Sequence, residues 1–180
     1  MVSLKKFIEG CKQNAARIKT YKWGKSGQNG ESDCIGYPIG ALDLVEQKWG
    51  GTHGCNYAVR YRMNNFHPIT SISQLKLGEF VFKVRKPGED KYALPSKYNS
   101  SGDLNDYYHV GVVTGVNPVV ISHCSTGGMH YDKTLGKWKY AGYCSLVNYG
   151  TKTESSSSTT ESKGTASVGK WLLTCRTIPP

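Results

Sequence analysis

Apolar positions recur every third or fourth residue over residues 3–19. Leu4, Phe7, Ile8, Cys11, Ala15 and Ile18 fall in one stripe and predict an amphipathic helix. The polar, glycine-bearing stretch YKWGKSGQNGESD interrupts that period. A second helical stripe begins near Cys34 and runs through Ile35, Ile39, Leu42, Val45 and Trp49, with Gly50 and Gly51 as its stop. Asp33 is suited to cap this helix, and Pro38 falls in the first turn, where a missing N–H costs little. Residues 50–75 show no clear period. From residue 77 the period shortens to two. LGEFVFKVR alternates Phe80, Phe82 and Val84, and YYHVGVVTG and PVVISHCS read as strands around a Val-Asn-Pro turn. KWKYAGYCSLVNYG then closes the sheet, and residues 86–106 form a long polar loop. Two helices followed by antiparallel strands make an α+β fold.

The composition changes at Thr151. Residues 1–150 read as one domain. Residues 151–167 lack large apolar side chains and read as a Ser/Thr-rich disordered linker. Residues 168–180 form a short apolar tail that either docks back or opens a truncated module.

Charge and cysteine usage narrow the chemistry. The 180 residues carry a net charge of +10, which favours an anionic partner: nucleic acid, a membrane surface or an acidic polymer. The basic residues are scattered, and no aromatic–basic motif of the usual nucleic-acid modules is present, so no nucleic acid is expected. No apolar run approaches the roughly 18 residues of a membrane span, so no membrane insertion is expected. The cationic N-terminus lacks the apolar core of roughly 7–15 residues found in a signal peptide. Synthesis in the cytoplasm without conventional export is the expectation. The six cysteines form no C-x-x-C pair, which points to reduced thiols, no structural zinc and no cofactor. His53 and Cys55, in GTHGCNY, read as loop residues rather than metal ligands; Cys11, Cys124, Cys144 and Cys175 read as packing.

Cys34 stands apart because it falls where a polar loop becomes a helix. The positive end of the helix dipole and the unpaired N–H groups there stabilise a thiolate, and the same N–H groups can hold an oxyanion. Such a thiol needs a base. His109 opens one strand of the expected hairpin and His123 ends the other, so a turn near Asn117 brings the two imidazoles close across the ladder. A thiol, a histidine and a second polar group that orients the histidine make a nucleophilic triad.

The order Y-x-W-G, D-C-x-G, L-x-x-G-E-F-V-F, Y-H-V-G-V-V, V-I-S-H resembles the NlpC/P60 cysteine peptidases over roughly residues 4–149. The resemblance implies a papain-like fold, with N-terminal helices packed on a central antiparallel sheet. It implies Cys34 as nucleophile, His109 as general base, His123 as orienting residue and Tyr21 beside the nucleophile. Asp33 and Trp23 join Tyr21 as candidate substrate-binding or oxyanion residues. The implied substrate is peptidoglycan, cut in its stem peptides between D-glutamate and a diamino acid through a thioester, by a protein acting as a monomer. Amidase or acyl-transfer chemistry on the same fold, and a catalytically dead wall-binding module, are the alternatives. A wall enzyme without an export signal points to a phage or prophage lysin or to non-classical secretion. Two departures from the family pattern stand out. Ile35 replaces the serine that follows the cysteine, and residues 86–106 lengthen the segment between Cys34 and His109, as an insertion that reshapes the groove or covers it.

Overall fold

A computed structural model describes residues 1–150, so the expected linker and tail lie outside the described residues. In chain order the elements are β1 (Val2–Ser3), α1 (Leu4–Arg17), β2 (Thr20–Tyr21), β3 (Glu31–Ser32), α2 (Gly36–Leu44), α3 (Cys55–Arg62), β4 (Met63–Pro68), β5 (Phe80–Arg85), β6 (Asp106–Val116), β7 (Val119–Ser125), β8 (Gly128–Asp132), β9 (Tyr140–Cys144) and β10 (Val147–Asn148). Six strands form one antiparallel sheet in the order β4-β9-β5-β6-β7-β8, which makes the fold α+β as expected.

α1 follows its stripe closely. Ser3 accepts the Lys6 N–H at the N-terminus, and Phe7, Ile8 and Cys11 are buried while Lys5, Lys6 and Lys12 face water. α2 is different, because Gly36 to Leu42 are all buried. It packs against α1 and has no polar face over these residues. Its close packing needs small residues. A Cβ on Gly36 would collide with the Lys25 carbonyl oxygen, and one on Gly40 with that of Ser26. Asn14, buried on α1, ties these parts together by donating to the carbonyls of Ser26 (3.3 Å) and Tyr37 (2.9 Å).

The alternation along the strands divides the core. Phe80, Phe82, Val110 and Val112 join Phe7, Tyr37 and Leu42 in the larger cluster, and Val81, Val113 and Ile121 pack with Trp138 in a smaller one.

Several expectations need correction. α2 ends at Leu44, short of Gly50, and Trp49 is buried from a loop rather than from the helix. The stretch 50–75 contains α3 and β4, which the pattern hides because neither presents a simple apolar stripe. β9 does not close the sheet at an edge; it runs between β4 and β5. A bulge between Val113 and Gly115 shifts the hairpin register. On the opposite edges of these two strands, His109 pairs with Lys83 on β5 and His123 with His130 on β8. The long loop is tied down by Arg60 of α3, which donates to the Asp103 carbonyl at 2.6 Å, to the Asn105 carbonyl at 3.1 Å and to Ser101 Oγ at 3.2 Å.

Candidate active site

The start of α2 is organised by one carboxylate. Asp33 is buried, and its Oδ1 accepts the Gly36 N–H at 2.7 Å while its carbonyl accepts that of Tyr37 at 3.1 Å. The chain is thus helical in its bonding from Asp33 onward, and the N–H groups of Cys34 and Ile35 have no partner within the helix. Oδ2 accepts the Gly24 N–H at 2.6 Å, fastening the turn that carries Trp23. His53 donates its Nε2–H to the same carboxylate, at 2.7 Å from Oδ2. Hydrogen bonding to Asp33 raises the His53 pKa above its ordinary value, although half-burial opposes this.

Cys34 lies at this helix start with only 7 % of its surface exposed. Its sulfur is 3.6 Å from that of Cys55, the first residue of α3. The Cys55 thiol is the largest influence stabilising a Cys34 thiolate. Burial works against it, and the hydrogen bond and charge of His109 add to it. The Cys34 pKa falls well below that of an ordinary thiol, and the Cys55 thiol rises. These influences favour ionisation at Cys34 over Cys55.

The two histidines meet as a pair. His109 Nε2 is 2.8 Å from His123 Nδ1. Beneath them lies Trp138, fully buried, stacked on His109 at a centroid distance of 5.6 Å and edge-on to His123 at 5.3 Å. The Trp138 Nε1–H donates to Asp132 Oδ2 at 2.9 Å, and the same oxygen lies 3.3 Å from His123 Nε2. Burial, reinforced by the charge of His109, pushes the His123 pKa from 6.5 down to about 4. Against the effect of burial, the Trp138 bond and His123 hold the Asp132 carboxyl below its usual range.

These contacts suit one arrangement. A neutral His123 with its proton on Nε2, facing Asp132 without a formed hydrogen bond, would leave Nδ1 to accept from His109 Nε2–H. That bond would hold His109 with its other nitrogen free to exchange a proton with Cys34. A thiol at a helix start, an imidazole held by a second one and two N–H groups without helical partners are groups that can carry out acyl transfer through a thioester.

No family model matches the chain, and no curated protein sequence matches it. Solved structures do. The structure of NlpC2 from Trichomonas vaginalis superposes with a TM-score of 0.50 at 14 % identity, covering 77 % of this chain and 47 % of that one. The fold is that of NlpC/P60 proteins. A second similar structure, a lipoprotein-like member of the NLP/P60 family from Staphylococcus aureus subsp. aureus Mu50, gives a TM-score of 0.49 at 12 % identity, over 79 % of this chain and 42 % of that one. The chain spans less than half the length of either.

Within the NlpC/P60 fold, the structure places the residues singled out in the sequence as follows. Cys34, His109 and His123 come together. Tyr21 pairs across β2–β3 with Ser32, two residues before Cys34, and burial together with the negative charge of Cys34 pushes its phenol pKa up. Asp33 has its oxygens occupied by Gly24, Gly36 and His53, so it orders the helix start; a carboxylate cannot donate to an oxyanion. Trp23 is 81 % exposed on the turn that Asp33 holds. Sequence reasoning does not place His53, Cys55, Asp132 or Trp138 at the site. His53 and Cys55 read there as loop residues, whereas Cys55 opens α3, and only long-range packing brings the four to the site. Among the described residues no cluster of His, Cys, Asp or Glu suits a metal ion.

Proposed function

We propose that this protein is a cysteine peptidase acting on peptidoglycan, with Cys34 as nucleophile, His109 as base and acid, and His123 as the residue that orients His109. The observation that carries the reading is the His109–His123 contact of 2.8 Å beside a thiol whose ionised form is stabilised. The Cys34 thiolate attacks the scissile carbonyl, and the oxyanion lies toward the Cys34 and Ile35 N–H groups. His109 then protonates the leaving amine, and water activated by the same imidazole hydrolyses the thioester.

The substrate class rests on the NlpC/P60 likeness and on the net charge of +10, which suits a wall rich in phosphate and carboxylate. Within that class we assign a bond in the stem peptide, D-glutamyl to diamino acid, as the site of cleavage. Ile35 places an apolar side chain directly after the nucleophile, and residue 35 is where peptide specificity is to be sought.

The deciding experiment digests purified sacculi with wild type and Cys34→Ala and identifies the new termini by mass spectrometry. New termini at D-glutamate, absent with the variant, support the proposal. Termini at an amide elsewhere in the wall make the protein an amidase. No release by wild type, with binding retained, makes it a wall-binding module.

A further inference from the structure

Hydrolysis as described needs one thiol, yet the fold brings two together. Cys34 lies in the β3–α2 junction and Cys55 opens α3; their sulfurs are 3.6 Å apart and both are free thiols. Both residues are buried. Nothing lies between the sulfurs at that distance.

We infer that Cys34 and Cys55 form a peroxide-modification site, in which hydrogen peroxide oxidises Cys34 and Cys55 resolves the product to a reversible Cys34–Cys55 disulfide. The inference rests on the reading of Cys34 as an ionised nucleophile. The Cys34 thiolate attacks one oxygen of hydrogen peroxide, and the O–O bond breaks. The departing hydroxide takes the proton held by His109 and leaves as water, with Cys34 as a sulfenic acid. The Cys55 thiol then attacks the Cys34 sulfur. The S–S bond forms, the S–O bond breaks, and the hydroxyl leaves with the Cys55 proton as a second water. Two thiols are oxidised and one peroxide is reduced to two waters.

Geometry selects the partner. A disulfide needs the sulfurs about 1.5 Å closer than they stand. Cys124 is the other nearby thiol, but its Sγ is engaged with the Ser32 carbonyl at 3.2 Å. Peroxide is little larger than water, so it reaches a sulfur that is only slightly exposed. The disulfide silences the nucleophile and shields it from the irreversible sulfinic acid, so the enzyme survives an oxidising passage and recovers on reduction.

The test treats the full chain with hydrogen peroxide, blocks remaining thiols with N-ethylmaleimide and maps peptides without reduction. Sacculus digestion is measured in parallel, before oxidation, after it, and after dithiothreitol. A peptide pair linked through Cys34 and Cys55, together with activity lost on oxidation and regained on reduction, is the expected result. In Cys55→Ser the same treatment leaves Cys34 as sulfinic acid by peptide mass, with no linked pair. Cys34 recovered from wild type as sulfinic acid, linked to Cys124, or still open to N-ethylmaleimide overturns the inference, and this holds even if Cys55→Ser fails to fold. The linked pair in a protein that never digests sacculi supports the site while refuting the hydrolase reading, so the two failures are distinct.

Discussion

Two histidine–aspartate pairs lie near the same sulfur, and they titrate in opposite directions. His53 sits 2.7 Å from Asp33, and the bond to that carboxylate raises its pKa. His123 sits 3.3 Å from Asp132, and its pKa falls to about 4. The sequence offers the same two residue types in each case. The difference lies in surroundings: His53 faces a buried carboxylate with no competing cation, whereas His123 is itself buried and has a second imidazole at 2.8 Å. In the first pair the carboxylate favours the protonated form of its histidine and ties that histidine to the helix start. The second keeps its histidine neutral, as an acceptor that aims the base.

Substitutions at and around the two pairs test this contrast. Cys34→Ala should abolish digestion, and His109→Ala should cost on the order of 10²–10⁴-fold in initial rate, the range for loss of a general acid–base. His123→Ala should cost about 10²-fold, at the low end of that range, while His53→Gln should leave the rate within about tenfold. Equal losses from the two would erase the distinction between aim and clamp.

Asp33→Ala leaves two backbone N–H groups and the His53 ring without their acceptor. Each buried donor left unpaired costs about 1–3 kcal/mol, readable by chemical denaturation. Asp132→Asn removes a partly exposed charge and should slow digestion by roughly tenfold, less than loss of the base itself. Its distinguishing sign is a shifted acid limb of the pH–rate profile, which a purely structural substitution would not move.

The smallest effect is in the pH dependence of Tm. The raised His53 pKa stabilises the fold fully below the ordinary value near 6.5, and that stabilisation is lost as pH rises through the higher folded value. The lowered His123 pKa acts oppositely. Its contribution is full above 6.5 and is lost as pH falls toward about 4. His53→Gln should therefore flatten the Tm profile above 6.5, and His123→Gln should flatten it between about 4 and 6.5.

Much of the site is legible in the sequence. A thiol at a loop-to-helix change and two histidines across a hairpin are local patterns, carried by period and spacing. The residues that carry no such signal share one property. Cys55 reaches Cys34 from a helix hidden in an aperiodic stretch, and Asp132 and Trp138 reach His123 from β8 and from the loop after it. None has a sequence neighbour that announces its role. The register bulge after Val113 is likewise invisible to alternation, because one extra residue leaves the apolar pattern on either side intact.

The amino-acid order by itself determined the α+β succession, the amphipathic first helix and the placing of Cys34 at a helix start, since these follow from backbone propensity and side-chain period within a few turns of chain. The tertiary structure alone decided at which sulfur ionisation is favoured, which histidine is pushed toward its neutral form and which second thiol faces Cys34. Those depend on burial and on charges within a few ångströms, and such distances exist only after residues far apart in the chain have been packed together.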